Sequence, residues 1–149
     1  MAVTNCSPTI RNWAGWPTDA CVLFGGIDDA SDAYILGYPV ELLNDRLPLE
    51  VDFTSPLVRK GVISQRNQRT GKLIIDSGVY GGNSGGPILI TSHPAPGVTS
   101  FKIGGLITQF VPVGTRVFPQ IGVTNSVLVN SGYGVAEPMD YALELIGQF

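Results

Sequence analysis

Only one stretch of this chain carries helix signals. Pro138-Met139-Asp140-Tyr141-Ala142-Leu143-Glu144-Leu145-Ile146 opens on proline, holds acids, and ends at Gly147. Everything before it is apolar runs broken by turn residues. The 149 residues include 19 Gly and 11 Pro, too many for long helices. Strands are expected at Cys21–Phe24, Ala33–Val40, Leu57–Ser64, Lys72–Asp76, Pro87–Thr91, Phe101–Val111 and Tyr133–Ala136. Gly61 reads as a bulge within the third of these. Asn67-Gln68-Arg69-Thr70-Gly71 reads as a hairpin turn, and His93-Pro94-Ala95-Pro96-Gly97 as a loop. Residues 41–55 read as mixed loop, and 112–131 give no regular pattern. Short strands at near-even spacing with one helix predict an all-β barrel or sandwich.

Composition narrows what such a fold does. A chain of 149 residues suits one domain with a sizeable core. Charged residues make up 14%, against about 25% in a typical chain. The net charge is −3 and no basic stripe stands out, so nucleic acid is not an expected partner. No apolar run is long enough to span a membrane as a helix, and no signal peptide is visible in residues 1–30. Localisation stays open. The two cysteines, Cys6 and Cys21, permit one disulfide, but Cys21 lies in an apolar run and reads as a small core residue. Neither has the thiol or imidazole neighbours that a zinc site needs, so no metal and no cofactor is expected.

The segment Gly81-Gly82-Asn83-Ser84-Gly85-Gly86-Pro87 concentrates the functional signal. Glycine loses more freedom on folding than any other residue, so four in six positions imply backbone geometry that side chains forbid. Two chemistries use such a loop. One wraps phosphate in consecutive N–H groups. The other surrounds a nucleophilic serine with N–H donors for a developing oxyanion. A phosphate loop wants a following lysine and a helix, whereas this one runs into the β-branched Pro87-Ile88-Leu89-Ile90-Thr91, with no lysine before Lys102. A plain glycine-rich turn between strands is the third reading, and spacing alone does not remove it.

Four blocks together carry a family resemblance. Ile75-Asp76-Ser77-Gly78-Val79-Tyr80-Gly81-Gly82-Asn83-Ser84-Gly85-Gly86-Pro87 resembles the active-serine region of trypsin-like serine proteases, in the bacterial branch that writes GNSGG. Ile35-Leu36-Gly37-Tyr38-Pro39 is similar to the strand opening that family's second barrel. Ile103-Gly104-Gly105-Leu106-Ile107-Thr108 is similar to a wall of its substrate cleft, and Gly132–Pro138 to its closing strand. The resemblance covers roughly residues 33–147. It implies an antiparallel six-stranded Greek-key barrel of the trypsin-like type over 33–149, ending in a helix, with 1–32 a linker or remnant of a first barrel.

What the resemblance implies for the site is specific. Ser84 matches the nucleophile, and the N–H groups of Gly82 and Ser84 match the oxyanion hole. Asn83 stands where the family more often has Asp, so the zymogen ion pair is not expected. Gly78 matches the floor of the specificity pocket and offers no charge, which implies a modest apolar preference. Thr108, Gln109 and Phe110 match the wall that pairs with an extended substrate, with Phe110 narrowing the pocket, and Gly134 falls in the matching closing strand. The implied partner is an extended polypeptide.

The same resemblance exposes a gap. A serine hydroxyl is a weak nucleophile without an adjacent base. The family order is His, Asp, Ser, yet the one histidine, His93, follows Ser84. Nine residues of strand would carry it up to ~30 Å away, where a hydrogen bond needs about 3 Å. Asp19, in Thr18-Asp19-Ala20-Cys21-Val22-Leu23, is similar to the family's catalytic acid context, although it lies closer to Gly37 than that family's spacing and also reads as a turn or strand-start aspartate. Three readings follow: the serine-bearing part of an endopeptidase, inactive alone; a degenerate protease fold that binds peptides; or a structural β-domain. In the first, the missing barrel's face invites a partner barrel or self-association.

Overall fold

The structure, a computed structural model, describes residues 17–40, 52, 54–117 and 125–147. Strands β1 (Asp32–Gly37), β2 (Leu57–Asn67), β3 (Lys72–Asp76), β4 (Pro87–Ala95), β5 (Val98–Val117) and β6 (Asn125–Pro138) precede helix α1 (Met139–Ile146). The strands close into a ring in the order β1-β2-β3-β6-β5-β4. Every neighbouring pair runs antiparallel. The all-β class with one terminal helix is thus as expected.

Alternation drives the closure. In β1, Ala33, Ile35 and Gly37 are buried while their neighbours are half-buried. In β3 and β4 the buried set is Leu73, Ile75, Ile88 and Ile90. With a side-chain period of two, these share the inner face. They meet Ile63, Ile107 and Ala136 in one core, which Ile27 enters from outside the strands.

Local chemistry fixes the connections. The β2–β3 turn is held by Asn67, whose Oδ1 accepts from the N–H of Arg69 and of Thr70, each at 3.1 Å. Gly71 follows at φ +68°, as a left-handed turn position requires. At the chain's end, the Asp140 carboxylate in the first turn of α1 accepts the Phe24 N–H at 2.8 Å, tying the helix to the N-terminal segment. Among the described residues no helix is long and apolar enough to cross a membrane.

Several boundaries differ from expectation. Cys21–Phe24 is not a strand: Cys21 makes one parallel bridge to Ile103, and the chain then turns through a 3-10 segment, Phe24–Gly26. The expected loop at His93–Gly97 is mostly strand, since β4 runs to Ala95. Pro94 is tolerated because the register shifts between Ser92 and Ala95, so no ladder hydrogen bond is demanded of it. Pro112 sits at a similar shift in β5, and residues 112–117 and 125–131 form a regular hairpin arm where no pattern was legible. The bulge in β2 falls between Ile63 and Gln65, not at Gly61. Most of the expected loop 41–55, and Cys6, lie outside the described residues.

Gly61 instead marks a close approach. A Cβ there would run into the Asp76 carbonyl oxygen and the Ser77 Cβ. Backbone cannot yield cheaply, so Gly61→Ala is expected to destabilise by about 1–3 kcal/mol. Gly114→Ala, with nothing within 4 Å of the new methyl, should stay within about 0.5 kcal/mol of the parent. Urea unfolding of the two variants checks this contrast.

Candidate active site

Residues 77–86 form a loop stitched to the barrel at nearly every step. Ser77 is buried, and its N–H donates to the Gly132 carbonyl at 3.0 Å. The Val79 carbonyl accepts from Asn130 Nδ2, and Asn130 Oδ1 in turn accepts the Gly132 N–H at 2.9 Å. The Val79 side chain enters the core against Gly134, where a Cβ would collide with it. This explains the small residue at 134.

The second half of the loop is tighter. The Asn83 N–H donates to the Tyr80 carbonyl at 3.1 Å, and the Gly86 N–H to the Asn83 carbonyl at 2.9 Å. These consecutive turns require left-handed backbone at Gly82 (φ +86°) and Gly85 (φ +82°). At Gly82 space is also forbidden, because a Cβ would overlap the Tyr38 carbonyl oxygen. The loop is then fastened to β5 by a reciprocal pair: Gly85 N–H to Ile107 carbonyl at 2.8 Å, and Ile107 N–H to Gly86 carbonyl at 2.9 Å. Asn83 is 2% exposed, its side chain packs beside Gly37, and its Oδ1 has no donor among the described residues.

Ser84 therefore stands exposed at the apex of a rigid turn. Its hydroxyl donates to the Thr108 carbonyl at 3.5 Å, at the weak limit of a hydrogen bond. Among the described residues, the N–H groups of Gly82 and Ser84 find no protein acceptor and belong to no strand ladder. Thr108 lies at the shift between Ile107 and Gln109, and its hydroxyl donates to the Val135 carbonyl at 3.2 Å. The β4 ladder on β5 reaches only Leu106, so Gln109 and Phe110 pair with β6 alone, Thr108 bulges before them, and among the described residues no strand pairs with their other edge. All three are exposed, Phe110 by 42%. Ser84, Gly82, Thr108, Gln109, Phe110 and Gly134 thus gather at one end of the barrel.

The other candidates lie elsewhere. Asp19 is exposed in a 3-10 turn, Thr18–Ala20, next to Cys21. Burial, and then the Asp19 carboxylate, push the Cys21 thiol up from its ordinary value. Cys21 bridges Ile103, ~13 Å along β5 from Ile107, where the serine loop is fastened. His93 is exposed near the far end of β4, its Nδ1 3.3 Å from Thr99 Oγ1 and ~20 Å of strand beyond Pro87.

Gly78 has a cation beside it: the Arg59 Nη1 donates to the Gly78 carbonyl at 3.0 Å, and the guanidinium lies over the Tyr80 ring at 4.5 Å. Arg59 was not legible as a site residue, because only the β2–β3 register brings it to Gly78. No protein-family model and no curated protein matches this chain.

The two left-handed glycines separate strain from space. Gly85→Ala has room for its methyl and should destabilise by about 1–2 kcal/mol through backbone strain alone. Gly82→Ala adds the collision with the Tyr38 carbonyl and should lose clearly more. Chemical denaturation of both variants measures the difference.

Proposed function

We propose that this chain carries the nucleophile, oxyanion donors and substrate wall of a trypsin-like serine endopeptidase, on a Greek-key barrel of that type. One observation carries the reading: an exposed serine hydroxyl flanked by two backbone N–H groups without acceptors, beside an open strand edge. An extended peptide adding to Thr108–Phe110 would gain main-chain hydrogen bonds there. Its scissile carbonyl would be attacked by Ser84 Oγ, and the negative charge forming on the carbonyl oxygen would be met by the Gly82 and Ser84 N–H groups. Each such donor is worth about 2.7–4 kcal/mol of transition-state stabilisation.

The proton on Ser84 needs an acceptor that these residues do not supply. The hydroxyl's partner is a carbonyl oxygen, which is not a base at neutral pH, and His93 sits on β4 far along the barrel. In this reading the base comes from a histidine on a complementary barrel. The same observation favours a second reading, in which the open edge of β5 binds peptides without cutting them.

Fluorophosphonate labelling separates these. The chain by itself should label slowly at Ser84 and hydrolyse peptide esters barely above the water rate, since even an assembled cleft lacking one triad member retains only about 10³–10⁴-fold. Adding a polypeptide with the complementary barrel and its histidine should accelerate both, and Ser84→Ala should abolish labelling. Rapid, stoichiometric labelling of the chain alone would place a base within reach and contradict the incomplete-protease reading.

A further inference from the structure

Arg59 is partly buried, yet among the described residues it forms no ion pair. Arg66, also partly buried, lies 3.8 Å from the Asp29 carboxylate. Removing a guanidinium from water without a counter-charge is unfavourable, so an unpaired and immobilised one is a site waiting for an anion. Two contacts immobilise it: the hydrogen bond to the Gly78 carbonyl at 3.0 Å and the stack on Tyr80 at 4.5 Å. Together they occupy one edge and one face of the guanidinium. Arginine carries five donors in a planar fork, and one is used here, so a bidentate partner can still be accepted.

The position of this group matters as much as its charge. A Cβ at Gly78 would lie 2.8 Å from Arg59 Nη1 and 3.0 Å from the Tyr80 ring, so glycine is what leaves room for the guanidinium. Tyr80 connects it to the serine, because the Tyr80 carbonyl accepts the Asn83 N–H in the turn immediately before Ser84. Arg59 thus contacts, at Gly78 and Tyr80, the same loop that carries Ser84.

We propose that Arg59 is a carboxylate-binding subsite that selects an acidic side chain, glutamate or aspartate, in a peptide bound beside the serine loop. The inference rests on the serine-hydrolase reading for what happens next to the bound peptide, but not for the binding itself. It replaces the apolar preference that Gly78 implied from sequence.

The test is peptide binding to the full chain, followed by fluorescence anisotropy. The probes are blocked tetrapeptide amides ending in glutamate, glutamine or lysine, and the glutamine peptide with a free terminal carboxylate. The glutamate amide should bind at least about ten-fold tighter than the glutamine amide, as a charge-assisted hydrogen bond predicts, and the lysine peptide should bind weakest. Arg59→Gln should remove the glutamate advantage and leave glutamine binding unchanged. Arg59→Lys, which keeps the charge but loses the fork and the planar stack on Tyr80, should retain part of it. Equal affinity for glutamate and glutamine, an advantage that survives Arg59→Gln, or no binding below about 1 mM would each overturn the proposal. So would a free-carboxylate glutamine peptide that matches the glutamate amide, since the site would then read a chain end. A glutamate preference that depends on Arg59, with a Ser84 that never labels even beside a complementary barrel, would keep the subsite and discard the hydrolase reading.

Discussion

The reciprocal hydrogen bonds between Ile107 and the Gly85–Gly86 backbone organise the rest of this molecule. They seat the serine loop on β5 where the β4 ladder ends, so the loop replaces a strand as the neighbour of Ile107. Past this point β5 continues for ten residues with β6, among the described residues, as its only strand partner. One pair of bonds therefore does two things. It fixes the turn that lifts Ser84, and it leaves the strand edge beside Ser84 unpaired. A loop fastened elsewhere would separate the hydroxyl from the edge.

That fastening has a conformational cost, met by glycine. Gly82 and Gly85 both sit in left-handed backbone, and Gly82 also passes within contact of the Tyr38 carbonyl. The barrel resists relaxation of this geometry from beneath. Val79 is locked in the core against Gly134, Asn130 clamps the Val79 carbonyl, and Asn83 is sealed beside Gly37. Glycine adopts such backbone without strain, so these contacts select glycine at both positions.

The sequence made some of this legible and hid the rest for physical reasons. Alternation exposed β1, β3 and the start of β4, because one face of each is buried and the other is not. The glycine density at 81–86 made unusual backbone legible, and Gly82 and Gly85 do take positive φ while Gly82 and Gly86 leave no room for a Cβ. Pro94 and Pro112 misled, because proline forbids a strand only where a ladder hydrogen bond is required, and both stand at register shifts. Arg59 could not be found at all. Its partner Gly78 is 19 positions away, and the pairing depends on the β2–β3 register, which one sequence does not reveal. The edge of β5 at Thr108–Phe110 was implied only by the family resemblance, since its pairing depends on where β4 stops.

The central claim is that the loop holds two backbone donors out of every ladder beside Ser84 while locking their neighbours in. Amide hydrogen exchange followed by NMR reads this residue by residue. The Gly82 and Ser84 amides should exchange quickly, as donors without protein acceptors do, while those of Gly85, Gly86 and Ile107 should be strongly protected. Protection of Gly82 and Ser84 equal to that of Gly85 and Gly86 would mean that both donors are already bonded within the fold. The loop would then be a structural turn, with nothing left to offer a substrate oxygen.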